Sequence, residues 1–305
     1  MPMNGAYFNG LDANGQNTAL MNIPGSVTSD YILFSLNVAS GSSADINYGW
    51  NLGCVLASNG QATPEVGNIL TPIVRAGVGK GACQRAWLTI GAAVDYKNPQ
   101  ATSTFTNIQT ILNTGGQLQA TLLANFAALA QAIGAIAGVK SVGFDMDYEE
   151  SYTALASVVA NVSLAVYNKL QCPITFCPFQ ELENGQQSPW ITALQQVYAT
   201  LKRQPVVGFN LQTYAGGSNN NPTQWTAAIK NAKNTGVADP AAFVWPIISC
   251  DPDATPVTYP DQAAGKLQGW SSKGASLWAT QSLPPPLPPP TQLSVYSAAI
   301  AKGIA

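Results

Sequence analysis

"SVGFDMDYEE", residues 141–150, sets Asp145, Asp147 and Glu149 at every second position, with Phe144, Met146 and Tyr148 between them. Successive side chains of a strand point to opposite faces, so the three acids share one face and the three large apolar residues the other. An amphipathic strand with one solvated side has this alternation, and so does a barrel strand whose acids point inward. The preceding "AIAGVKSVG" reads as a helix, a short turn and a buried strand, the pattern that feeds a parallel sheet covered on both faces. That favours acids pointing inward and places Glu149 at the C-terminal end of the strand, where barrel enzymes carry their chemistry. A calcium loop also begins with alternating acids, but it needs a glycine turn and oxygen ligands where this segment has Met146 and Tyr148.

The rest of the chain makes the cluster conspicuous. Its 305 residues hold 13 Lys+Arg and 15 Asp+Glu, a net charge of -2, so neither nucleic acid nor an anionic membrane surface is an expected partner. With 46% hydrophobic and only 9% charged residues, the composition is that of a globular chain with a large core and a neutral polar surface. There is no histidine, which excludes Ser/His/Asp and Cys/His catalysis and removes the usual imidazole metal ligand. Any proton transfer must therefore fall to carboxylates. Five cysteines (54, 83, 172, 177 and 250) are too few and scattered for a disulfide scaffold, and buried thiols are expected even for the neighbours Cys172 and Cys177. The start "MPMNGAYFNG" lacks the regions of a signal peptide, and no apolar run is long enough for a membrane helix.

Eight strand-like runs begin at Gly5, Tyr31, Arg85, Ser141, Cys172, Val206, Phe243 and Gly274, with helix-like stretches from Leu122, Thr153, Ser188 and Pro222 among them. Strand and helix repeated eight times predict a single-domain (β/α)8 TIM barrel over residues 1–305; no glycine-rich dinucleotide fingerprint favours an open doubly wound sheet. "SLPPPLPPPTQ", 282–292, reads as a stiff surface connection of polyproline II type before one last helix, rather than an interdomain linker or a recognition ligand. Only a short stretch separates the seventh and eighth strands, which leaves no room for an α+β insertion there.

Crowded carboxylates in a poorly solvated barrel cannot all ionise. The expectation is that Glu149 stays protonated as a general acid while Asp145 and Asp147 share the remaining proton and charge.

"GFDMDYE" resembles the DxxDxDxE signature on the fourth strand of glycoside hydrolase family 18, the chitinases and endo-β-N-acetylglucosaminidases. Companion strings follow in the family's order: "YILFSLNVA" for the second strand, "LTIGA" (88–92) for the SxGG motif, "FCPF" (176–179) for the fifth, "LQTYA" for the sixth-strand QxYN, and "GASLWAT" for the eighth-strand tryptophan. The resemblance implies a retaining, substrate-assisted hydrolase of β-1,4-linked N-acetylglucosamine, endo-acting in an open groove, without cofactor or metal, monomeric and extracellular. It makes Glu149 the acid that protonates the glycosidic oxygen, Asp147 the holder of the substrate's acetamido group, Asp145 its tuner from below, and Tyr214 a donor to the acetamido carbonyl. Trp278 becomes the apolar floor under the sugar, with Gln212 and Tyr7 as further substrate-lining residues. An endo-β-N-acetylglucosaminidase acting on N-glycans and a non-catalytic chitinase-like sugar-binding protein are the alternatives. Val142 stands in place of the signature's first Asp, Thr89 and Ala92 in place of the Ser and second Gly of SxGG, and Ala215 in place of the Asn that follows the tyrosine. The first two departures bring the support of Asp145 into question, and the last removes a polar contact.

Overall fold

The computed structural model describes residues 3–9, 19–39, 41, 43–49, 51–93, 104–150, 154–283 and 292–304. Eight parallel strands close on themselves: β1 (Asn4–Asn9), β2 (Asp30–Val38), β6 (Arg85–Ala93), β7 (Ser141–Glu149), β8 (Ile174–Phe176), β9 (Val206–Gln212), β10 (Val244–Ser249) and β11 (Ala275–Trp278), with β11 pairing back onto β1. The helices are the one-turn α1 (Ala19–Asn22), α2 (Pro64–Lys80), α3 (Thr104–Thr114), α4 (Gly116–Gly134), α5 (Leu155–Leu170), α6 (Pro189–Leu201), α7 (Pro222–Asn231), α8 (Pro260–Gly269) and α9 (Gln292–Gly303). This is a (β/α)8 barrel, and the connection from β10 to β11 carries α8 alone, with no α+β insertion. All eight predicted strands are present, as is the last helix. Residues 284–291, most of the proline-rich stretch, lie outside the described residues.

Helices α2, α6 and α7 begin alike: a polar residue accepts an N–H of the first turn and proline occupies the first helical position. Thr63 caps Glu65, Ser188 caps Trp190 and Asn221 caps Thr223. Proline costs nothing there, since its missing N–H belongs to the unpaired set and its φ is already helical. One excursion was not anticipated from the sequence. Between β2 and α2, the strands β3 (Ile46–Tyr48), β4 (Asn51–Ser58) and β5 (Gln61–Ala62) add an antiparallel flap to β2. Two of its strands, β3 and β5, are only three and two residues long and the β3–β4 register shifts, so it has little of the period-two pattern by which strands are read.

Two cores follow from the alternation. Outside the barrel, Phe144 meets Phe126 of α4, Tyr148 meets Phe105 of α3 and Phe209 meets Trp225 of α7, with ring centroids 5.6, 5.1 and 5.8 Å apart. Inside, the N-terminal end is filled by Met3, Ile32, Trp87, Trp245 and Ile247. Trp87 lies against Gly143, where an added Cβ would come within 2.4 Å of the indole, so the large side chain on β6 requires the absence of one on β7. Gly91 is constrained differently. Its φ is +89°, and a Cβ there would lie 2.4 Å from the Asp147 carbonyl oxygen and 2.7 Å from the Phe105 ring. Glycine is thus required at the first glycine of the SxGG-like string.

Val142 lies on the outward face. It packs with the helix-side core and lies over Gly134 of α4, while its neighbour Gly143 faces the barrel interior. Position 142 is out of phase with 145, 147 and 149, so its side chain cannot reach Asp145. The expected loss of support for Asp145 is corrected by this parity.

Candidate active site

The odd-numbered residues of β7 climb the inside of the barrel. Asp145 is fully buried and accepts hydrogen bonds from four strands: Thr175 Oγ1 of β8 at 2.6 Å, Asn210 Nδ2 of β9 at 2.9 Å, Tyr7 OH of β1 at 3.1 Å and Thr89 Oγ1 of β6 at 3.4 Å. Burial pushes its carboxyl up, and the four uncharged donors pull it back down. Thr89, which replaces the family's serine, still supplies a hydroxyl. Register explains the set, since Thr89, Asp145 and Thr175 are direct cross-strand partners.

One layer higher, Asp147 is 2% exposed and its Oδ1 makes no hydrogen bond among the described residues. Burial raises its carboxyl well above the usual carboxylate range, and the charges of Glu149 and then Asp145 raise it further. Its hydrogen-bonding neighbours are Glu149 and the Cys177 thiol. Glu149, at the strand end, accepts a 2.7 Å hydrogen bond from Gln212 Nε2. Burial raises the Glu149 carboxyl too, while the bonds from Gln212 and Asp147 lower it.

Asp145 has four uncharged donors that favour its charged form, whereas the Asp147 and Glu149 carboxyls are both raised by burial and adjoin one another, so the crowding expected of the three acids falls chiefly on this pair.

Tyr214 follows β9 and is buried, its phenol raised by burial and then by the neighbouring Cys177, Asp147 and Glu149. Its ring stacks on Trp278 with centroids 5.9 Å apart and planes 14° apart. Trp278 is partly exposed and receives Phe34 edge-on at 4.8 Å and Tyr7 at 5.4 Å. Glu149, Asp147, Asp145, Tyr214, Gln212 and Trp278 thus meet at the C-terminal end of the barrel. Tyr7 is also present, but not as a lining residue: it is buried, with its hydroxyl committed to Asp145. Gln212 is turned to Glu149. Ala215 is exposed at φ +46°, its N–H donating to the Thr255 carbonyl at 2.5 Å.

Thr175 and Asn210 were not singled out from the sequence. Both carried a signal, because Thr175 precedes Cys177 by two in "CPITFCPF" and Asn210 precedes Gln212 and Tyr214 by two and four in "VVGFNLQTY". Glu150 was passed over as well. It points out of the barrel and accepts from Phe105 N at 2.6 Å, Thr106 Oγ1 at 2.8 Å and Thr106 N at 3.1 Å, tying the end of β7 to the first turn of α3.

No protein-family model matches the sequence, and no curated protein matches it either. Solved structures do resemble it. A GH18 chitinase from Pseudoalteromonas aurantia aligns at a TM-score of 0.62 and 15% identity, covering 98% of this chain and 99% of that one. The Ostrinia furnacalis Group IV chitinase aligns at 0.54 and 9% identity, with 98% of each chain covered. A mutant GH18 chitinase from Cycas revoluta, solved in complex with (GlcNAc)4, aligns at 0.53 and 10% identity, covering 92% of this chain and 95% of that one. The fold is therefore that of the GH18 chitinases.

Proposed function

We propose that the protein is a chitinase-like glycoside hydrolase of the family 18 type, cleaving β-1,4-linked N-acetylglucosamine by a retaining, substrate-assisted route. The observation that carries this reading is the Asp147–Glu149 pair: two neighbouring carboxyls, both raised by burial, beside a partly exposed indole at the C-terminal end of a chitinase-fold barrel; we read them as sharing one proton.

The chemistry follows from the placement of that proton. A sugar on the indole of Trp278 would turn its C–H face to the ring. Its acetamido N–H would meet Asp147 Oδ1, a buried acceptor otherwise without a donor. Accepting that N–H favours the charged form of Asp147 and moves the shared proton across to Glu149. Glu149 then gives it to the glycosidic oxygen. The acetamido oxygen, held by the Tyr214 hydroxyl, attacks the anomeric carbon as the bond to the leaving oxygen breaks, so the enzyme supplies no nucleophile. The oxazolinium N–H remains against the Asp147 carboxylate. Glu149, now ionised, activates the water that opens the ring and regains its proton. Asp145 holds its negative charge on four donors throughout.

Substrate and place of action follow as part of the same reading. The neighbour from Cycas revoluta holds (GlcNAc)4, and a polymer of that sugar lies outside cells, so a secreted monomer acting on chitin oligosaccharides or chitin is proposed. No helix among the described residues is long and apolar enough to cross a membrane. The test is hydrolysis of N-acetylglucosamine oligomers, beside a high-mannose glycopeptide, by the wild type and Glu149→Gln. Cleavage of the oligomers to a fresh β-anomer, lost in the variant, is expected. Cleavage of the glycopeptide alone assigns the endo-β-N-acetylglucosaminidase instead. An inert wild type that binds oligomers as well as the variant does is a sugar-binding protein, and sinks the catalytic reading.

A further inference from the structure

"FCPF", 176–179, is the companion string of which the mechanism above uses no residue. Its last member is placed by the ladder that continues past β8. Cys177 N donates to the Met146 carbonyl at 2.9 Å, and the Pro178 carbonyl accepts from Gln212 N at 2.9 Å. The chain still runs between β7 and β9 there, so by alternation Phe179 falls on the side of Thr175 and Cys177, which face the barrel interior. It is the next step of that column, above the acid layer and at the mouth. Its backbone is held. Asn220, 5% exposed, gives Nδ2 to the Phe179 and Gln212 carbonyls, each at 3.0 Å, and accepts from Trp225 Nε1 at 2.8 Å.

The Phe179 ring is partly exposed, and among the described residues it joins neither hydrophobic core. Gly216, exposed in the turn after Tyr214, keeps the space beside it clear: a Cβ there would stand 3.4 Å from the ring, and a longer side chain would lie along its edge. Polar groups adjoin the same segment. Glu181, two residues on, accepts from Asn219 Nδ2 at 2.7 Å, and both are exposed. An apolar ring with carboxylate and carboxamide groups nearby suits a pyranose, whose C–H face lies on the ring while its hydroxyls meet the polar groups.

The strand order says which pyranose. Trp278 ends β11 and Glu149 ends β7, on opposite walls of the barrel, and β8 is the neighbour of β7. A sugar lying on Trp278 presents its glycosidic oxygen to Glu149, so the sugar beyond that oxygen lies past Glu149, beside the β8 wall. We propose that Phe179 is a specificity residue: the platform for the sugar on the leaving-group side of the cut, its ring kept clear by Gly216. The inference rests on the hydrolase reading and adds the sugar that reading leaves unplaced.

Two substrates separate the sides of the cut. The pentamer of N-acetylglucosamine has sugars on both, whereas the fluoride of its dimer has none beyond the bond that breaks. Phe179→Ala should cost the pentamer about tenfold more in kcat/KM than it costs the fluoride, the worth of one ring contact. Phe179→Trp, which restores a flat ring, should bring the ratio back. Equal losses on the two substrates, or no loss on either, overturn the proposal. Melting temperatures show whether Phe179→Ala is folded. If it is not, Gly216→Leu, which lays a branched side chain along the ring from an exposed position, takes its place and is judged by the same outcomes. A wild type that cleaves neither substrate fails the hydrolase reading, and calorimetric titration with the pentamer then decides the platform alone. Affinity about tenfold weaker for the variant supports it, and equal affinity or no binding overturns it.

Discussion

Gln212 of β9 reaches across β8 to give Glu149 of β7 its 2.7 Å hydrogen bond, so the acid at the strand end is oriented from two strands away. The bond favours the carboxylate form. Gln212→Leu should accordingly raise the proton affinity of the Asp147–Glu149 pair and move the pH profile of hydrolysis upward by about one unit, with a fall in kcat of roughly tenfold. Rate measurements across pH check this. An unmoved profile in a folded variant would show that Gln212 serves substrate binding alone.

Burial raises the carboxyls of Asp145, Asp147, Glu149 and Glu150. In the unfolded chain these groups titrate near pH ~4, so above that point the native state keeps protons the unfolded state has released. Stability is then greatest at low pH and falls as pH rises toward the raised native values. Calorimetry should give a higher Tm near pH ~5 than near pH ~8. Asp147→Asn removes a buried like charge, so it should raise Tm at the higher pH and flatten the trend while abolishing hydrolysis. A variant less stable than the wild type at about pH 8 would contradict the account.

Glu150 satisfies two backbone N–H groups at the start of α3 and lies one residue beyond the acid. Glu150→Ala leaves those donors without their partner and should cost about 1–2 kcal/mol in urea unfolding. Because Phe105, beside the lost contact, packs on both Tyr148 and Gly91, kcat should fall as well. A neutral Glu150→Ala would mean that water replaces the carboxylate at no cost.

Val142→Asp would restore the letters of the family signature, yet it places a carboxyl over α4 instead of beside Asp145. The expected result is a loss of about 1–3 kcal/mol of stability with no gain in activity. A gain in kcat would show that position 142 reaches the acids after all.

The sequence by itself determined the barrel, the acid face and the strand end that bears Glu149. Period-two alternation and repeated strand and helix units are local properties, and the absence of histidine leaves carboxylates to carry protons. It also held, unread, the inward positions of Asn210, one alternation step before the candidate Gln212, and of Thr175, one step before Cys177 in the fifth-strand string. Only the tertiary structure decided what surrounds each acid. Asp145 is met by Tyr7, Thr89, Thr175 and Asn210 from four strands, donors that favour its charged form. Asp147 is raised by burial and by the charges of Glu149 and Asp145 on either side of it. Tyr7 changes from a lining residue to a support, and Val142 from a defect to a neutral outward position, by which way a strand faces once the barrel has closed. Donors brought from 30 to 138 residues away in sequence fix a pKa, and a local pattern carries no record of them.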